Sequence, residues 1–124
     1  MRLLLDTHAL LWWLADEGLQ SQAQDAIADP ANLVVVSAAS AWEISIKKAL
    51  GKLAAPDDLE QQVQAGGLVP LPISIAHATA AGQLTHHHED PFDRMLIAQA
   101  VTEGLAIVTR DKRFTDYGVA VLPA

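Results

Sequence analysis

Apolar residues in this chain follow two rhythms. Short, nearly unbroken runs of leucine and valine occur at residues 2–5 (RLLL), 33–37 (LVVVS), around 68–71, at 105–109 (LAIVT) and at 119–123 (VAVLP). Runs of that length, rich in β-branched residues, predict strands buried on both faces. Between them the spacing is helical. ALLWWL, from about Ala9 to Leu14, is apolar all round and predicts a helix that is wholly buried or covered by a partner. Leu19 to Ala28 predicts a second helix ended by Asp29-Pro30, and Ser37 caps a third that runs to about Leu50, where Gly51 stops it. Pro56 opens a fourth, which Gly66-Gly67 closes, and IAHATAAGQL is a fifth. Asp90-Pro91 start a strong sixth helix, FDRMLIAQAVTE, terminated by Gly104. THHHE is a polar loop and KRFTDY about one helical turn.

Strands separated by helices along the whole length imply parallel crossover units with helices on both faces of one sheet. The expected fold class is therefore α/β: a three-layer α/β/α sandwich with a central parallel sheet of about five strands. The 124 residues read as one domain, 1–124, without a linker, repeat or low-complexity tract. In such sheets the polar residues that follow the strands gather at the carboxyl edge, where ligands bind. Asp6, Ser37 and Asp111 all stand at that place in the pattern.

Asp6 sets the chemical question, because three leucines suited to a buried strand run straight into its carboxylate. A buried carboxylate needs a partner, a helix end or a metal. Three further acids stand out by position: Glu43 early in the helix after the second strand, Asp93 in the first turn of the sixth helix, and Asp111 after LAIVT. Each also has a plain structural reading. Asp6 would cap the first helix, Glu43 would pair with Lys47 one turn on, and Asp111 would cap the KRF turn. Against this, Ser37, Ser40 and Glu43 recur every three residues and so form one polar helix face. Asp90 already caps the sixth helix, so Asp93 beside it concentrates negative charge as a site expecting a cation does. Hard oxygen donors of this kind suit Mg²⁺ or Mn²⁺.

Composition changes the picture only at a few points. The net charge of −7 argues against a nucleic-acid partner, since neutralising phosphates is the main source of such affinity. The distribution softens the argument. All basic residues but Arg2 lie in three short segments, with Lys47, Lys48 and Lys52, with Arg94, and with Arg110, Lys112 and Arg113, each segment also holding one of the singled-out acids. With no cysteine there is no disulfide or thiolate chemistry, which fits the cytoplasm, and the apolar N-terminal run is too short and too interrupted to cross a membrane. The triplet His86, His87 and His88 reads as a solvated loop rather than a zinc site, substrate contact being the minor option. Trp12, Trp13 and Trp42 read as core or interface anchors, and His77 as a surface residue.

LLLDTHALLWWL, SAASAWEISIKKALGKL, EDPFDRMLIAQA and IVTRDKRF together, in this order and over nearly the whole chain, resemble the PIN domain, more narrowly the VapC-type toxins of bacterial toxin–antitoxin pairs. The resemblance implies a PIN-like fold and an endoribonuclease in which four acids, here Asp6, Glu43, Asp93 and Asp111, bind one or two Mg²⁺ or Mn²⁺ ions. It implies supporting hydroxyls at Thr7 and Thr109, with Ser40 beside them on the polar helix face, and a less regular further acid at Asp116. It also implies a homodimer and a small antitoxin partner whose C-terminal segment lies across the site and often offers it an arginine, the helix around Trp12 and Trp13 being the surface such a partner would cover. Arg94, Arg110 and Lys112 are the candidates for steering the RNA backbone, with solvated surface as their other reading. Two alternatives stay open beside this one: a non-catalytic module of the same fold that binds RNA or protein, and metal-dependent phosphotransfer on an aspartate. The latter calls for a second acid beside Asp6, where Thr7 and His8 stand.

Overall fold

The computed structural model describes all residues from Met1 to Ala124. Five strands, β1 (Arg2–Leu5), β2 (Leu33–Ser37), β3 (Val69–Leu71), β4 (Ala106–Thr109) and β5 (Val121–Pro123), form one sheet in the order β3-β2-β1-β4-β5. Every pairing is parallel. The helices are α1 (Thr7–Ala15), α2 (Ser21–Ala28), α3 (Ala38–Ala49), α4 (Leu59–Ala65), α5 (Ile75–Gln83) and α6 (Pro91–Glu103), with a 3₁₀ turn at Lys112–Tyr117. The α/β sandwich with five parallel strands is thus the observed architecture. No helix is long and apolar enough to cross a membrane.

Alternation along the central strands creates two cores. Leu3 and Leu5 of β1, Val34 and Val36 of β2 and Val108 of β4 join Leu10 of α1 and Ile27 of α2 on one face. Leu4, Val35 and Ile107 point the other way and meet Leu96, Ile97 and Ala100 of α6. Because successive side chains of a strand point to opposite faces, a strand covered on both sides must be apolar throughout. That is why neither the LLL of β1 nor the LVVV of β2 alternates with polar residues.

The register then decides where polarity falls. Leu5 pairs with Val36 on one side and with Val108 on the other. The next residue of each chain segment is Asp6, Ser37 or Thr109, so these three polar side chains form one row at the carboxyl edge. β1 is the strand from which the order runs outward in both directions, the place where α/β sheets open a crevice. Capping fixes the helices that leave this edge. Ser37 accepts the Ala39 N–H at the start of α3 (3.0 Å), and Asp90 accepts those of Phe92 and Asp93 at the start of α6 (2.8 and 3.3 Å).

One sequence reading is corrected here and another is narrowed. His77 is not on the surface but 3% exposed. It forms a reciprocal capping box with Ser74, and its Nε2 meets Glu103 at 2.8 Å, tying α5 to α6. Its alanine-rich helix looked unanchored because the partner acid lies 26 residues on. α1 is also only half sunk: Leu11, Trp12, Trp13 and Leu14 pack on the first core while retaining partial exposure. The exposed apolar stripe lies instead on α3, where Trp42, Ile46 and Leu50 are 62%, 37% and 62% exposed.

Candidate active site

At the carboxyl edge a cleft of about 370 Å³ is lined by Asp6, Glu43, Asp93 and Asp111, joined by Asp90, Lys47 and Arg113. A larger, mainly apolar groove of about 920 Å³ lies elsewhere, around Met1, Val101 and Gly118, and carries none of these acids. The four carboxylates come from four separate elements, so only the sheet order and the caps bring them together. Asp6 follows β1 and does two things at once: Oδ1 accepts the Ala9 N–H at 2.8 Å as the cap of α1, while the group also faces the cleft. Burial pushes its pKa up, opposed by a hydrogen bond from Thr109.

Glu43 is 5% exposed and held from both sides. The Thr7 hydroxyl donates to Oε1 at 2.5 Å and lies 3.3 Å from the Ser40 hydroxyl, and Lys47 Nζ meets Oε2 at 2.6 Å. The pairing with Lys47 and the joining of Ser40 to Glu43 through Thr7 are therefore both present, while Ser37 serves as the cap of α3. The hydrogen bond to Glu43 raises the Lys47 pKa.

Asp93 carries the largest perturbation of the site, its pKa raised to about 7. Burial is the main cause, followed by the charges of Asp90, Glu43, Asp6 and Asp111. Asp111 behaves oppositely. Arg113 grips it through Nη2 (2.8 Å) and Nε (3.0 and 3.2 Å), which lowers its pKa, and its Oδ1 also accepts the Arg113 N–H as cap of the 3₁₀ turn.

Three candidate residues stand elsewhere. Asp116 is exposed on the 3₁₀ turn and does not line the cleft, and Lys112 is likewise outside it. Arg94 lies one residue from Asp93 but its guanidinium turns away, donating to the carbonyls of Ala81, Leu84, Thr85 and His88 at 2.9 to 3.3 Å. It fastens the loop after α5, with both terminal NH2 groups committed to carbonyls. Arg110 does reach the cleft rim, yet its guanidinium stacks 3.9 Å from the Trp12 ring centroid and bonds the carbonyls of Gly18 and Ala124. Adjacency to Asp93 misled for Arg94 because neighbours on a helix point about 100° apart. Thr109 is 1% exposed, its hydroxyl accepting the Asp111 N–H at 3.0 Å beneath the carboxylates.

His88 was missed. It is not solvated but 4% exposed, with Nε2 2.8 Å from Asp93 Oδ2 and 3.4 Å from Asp111 Oδ2, whereas His86 and His87 are exposed as expected. The usable signal was its position two residues before the α6 cap, which sends its side chain back toward Asp93. Arg113 was also passed over as a site residue, although it directly follows the Asp111-Lys112 pair.

The sheet order and the acidic cleft at its carboxyl edge define an α/β domain with a candidate metal site. A model of the PIN domain matches residues 3–120, and the chain belongs to the PIN domain family. It is 31% identical over 121 residues to Ribonuclease VapC22 of Mycobacterium tuberculosis, covering 92% of this chain and 90% of the relative. Among solved structures it is similar in fold to VapBC2 from Rickettsia felis bound to a promoter DNA fragment (TM-score 0.72, 14% identity, 98% of each chain). It is likewise similar to VapBC-5 of Mycobacterium tuberculosis, a member of the VapBC family of toxin–antitoxin systems (TM-score 0.63, 18% identity, 99% of this chain and 98% of that one).

Proposed function

We propose that residues 1–124 act as one PIN domain with divalent-metal-dependent endoribonuclease activity, serving as the toxin of a toxin–antitoxin pair in the cytoplasm. The observation that carries this reading is the convergence of Asp6, Glu43, Asp93 and Asp111 on one cleft, with the Asp93 carboxyl pushed up to about 7 by burial and by its acidic neighbours. The donor set fits a hard divalent ion. Mutual repulsion of the acids is the strain such an ion removes, and all are oxygen donors suited to Mg²⁺ or Mn²⁺. The name of the relative that is 31% identical supports ribonuclease chemistry, and the toxin–antitoxin complexes among the structural neighbours support a small antitoxin partner.

When bound, the ion supplies a Lewis acid and an acidified water for attack on an RNA phosphodiester. Asp6, Asp93 and Asp111 are the residues that would hold it. Glu43, fixed by the Thr7 hydroxyl and Lys47, would serve as a further ligand or orient the attacking water. Ser40 supports Thr7, and Thr109 supports Asp6 from below. Lys47 and Arg113, the lining cations whose bonds go to site acids, take the backbone-contacting role in place of Arg94, Arg110 and Lys112. The antitoxin covers the cleft and the neighbouring Trp42–Ile46–Leu50 stripe, and the toxin pairs as a homodimer.

The test is incubation of purified protein with total RNA in Mg²⁺, Mn²⁺ or chelator, with mapping of the cut ends. Cleavage with either ion, lost with chelator and in Asp6→Asn, is the expected result. Cutting that survives the chelator or Asp6→Asn refutes the proposal, and no cutting under any condition leaves the non-catalytic binding module in its place.

A further inference from the structure

His88 is more than a loop residue beside the acids. The loop itself is held by backbone groups: the Tyr117 hydroxyl accepts the His87 and His88 N–H at 3.1 and 2.9 Å, and Arg94 binds the His88 carbonyl. Those contacts do not need an imidazole. The ring is instead inserted edge-on against Phe114, with centroids 6.1 Å apart. Its Nδ1 accepts the Asp90 N–H at 3.2 Å, so in the neutral ring the proton resides on Nε2. That nitrogen is buried, faces Asp93 and Asp111, and has no directed hydrogen-bond partner. The donor atoms of His88, Asp93 and Asp111 lie within 4.8 Å of one another.

We infer that His88 is a positioning residue of the metal centre, its Nε2–H edge, 2.8 Å from Asp93 Oδ2 and 3.4 Å from Asp111 Oδ2, attracting both carboxylates and holding them at a separation that one divalent ion can span. The inference rests on the reading of the cleft as a metal site. It assigns His88 the part of a donor behind the ligands rather than that of a ligand, because a ring that ligates through Nε2 has its proton on Nδ1, where the Asp90 N–H already points. The imidazole therefore sets affinity for the ion through the two carboxylates it spans.

Mn²⁺ binding to the full, metal-stripped chain tests this by calorimetry and by electron paramagnetic resonance, for the unchanged protein, His88→Ala, His88→Gln and Asp93→Asn. His88→Ala is expected to weaken Mn²⁺ binding about tenfold or more. His88→Gln, which keeps an N–H donor but no imidazole, retains most of the affinity, and the bound-Mn²⁺ spectrum of the unchanged protein shows no coupling to a directly bound nitrogen. Melting curves of the metal-free variants establish that each is folded; if His88→Ala is not, His88→Gln and the nitrogen coupling decide the matter. A direct nitrogen coupling, or His88→Gln falling as far as His88→Ala, overturns the positioning role. Unchanged affinity in His88→Ala, with Asp93→Asn defective, overturns it while leaving the metal site standing. Asp93→Asn binding Mn²⁺ like the unchanged protein overturns the metal site and this inference with it.

Discussion

Replacing Asp93 by asparagine should stabilise the metal-free protein, the reverse of what most site substitutions in a packed region do. The carboxyl is raised from its ordinary 3.8 to about 7 by burial and by Asp90, Glu43, Asp6 and Asp111. A carboxyl whose folded pKa lies above its unfolded one binds more protons in the folded state, so stability falls as pH rises from about 4 to about 7 and stays low above that. Roughly three decades in proton affinity at about 1.4 kcal/mol each give a ceiling of about 4 kcal/mol. The Asp93 side chain is 20% exposed and the cleft is open to water, so screening reduces this to about 2 kcal/mol. Asparagine keeps the shape and removes the charge. Urea unfolding in chelator, at half-unit steps from pH 4 to 9, should show the two proteins converging near pH 4 and Asp93→Asn ahead by about 2 kcal/mol at pH 8. Saturating Mn²⁺ should reverse the order at pH 8, because only the unchanged protein gains binding free energy. If Asp93→Asn is the less stable protein at pH 8 in chelator, or the gap does not vary with pH, the idea of a repulsive acidic cluster waiting for a cation is wrong.

Two other substitutions probe the frame around the site. Arg94→Ala removes a guanidinium bound to four carbonyls and should cost about 2–3 kcal/mol in urea unfolding, with Arg94→Lys unable to restore the loss because one ammonium cannot serve that fork. If Arg94→Ala weakens RNA binding without lowering stability, its assignment to the loop is mistaken. Gly18 sits at φ +102°, and a Cβ there would come within 2.7 Å of the Trp12 ring, so Gly18→Ala should lower stability by about 1–3 kcal/mol and displace the Arg110–Trp12 stack, visible as altered tryptophan fluorescence. Unaltered fluorescence and stability would count against the rim packing described above.

Local order is written plainly in this chain. LVVVS and LAIVT are strands because β-branched runs fit nothing else, Ser37 and Asp90 start their helices because their side chains cap free N–H groups, and Gly104 ends α6 with a left-handed residue at φ +67°. Alternating strands and helices likewise determined the parallel sheet, and with it the gathering of Asp6, Ser37 and Asp111 at one edge. What single-chain patterns could not decide is direction in space. Arg94 and Asp93 are neighbours that point to different surroundings, His77 is buried by an acid on another helix, and His88 differs from His86 and His87 only in what the fold packs against it. Those outcomes depend on contacts between elements far apart in the chain, so the perturbed carboxyl of Asp93 and the imidazole beside it exist only once the tertiary structure has closed around them.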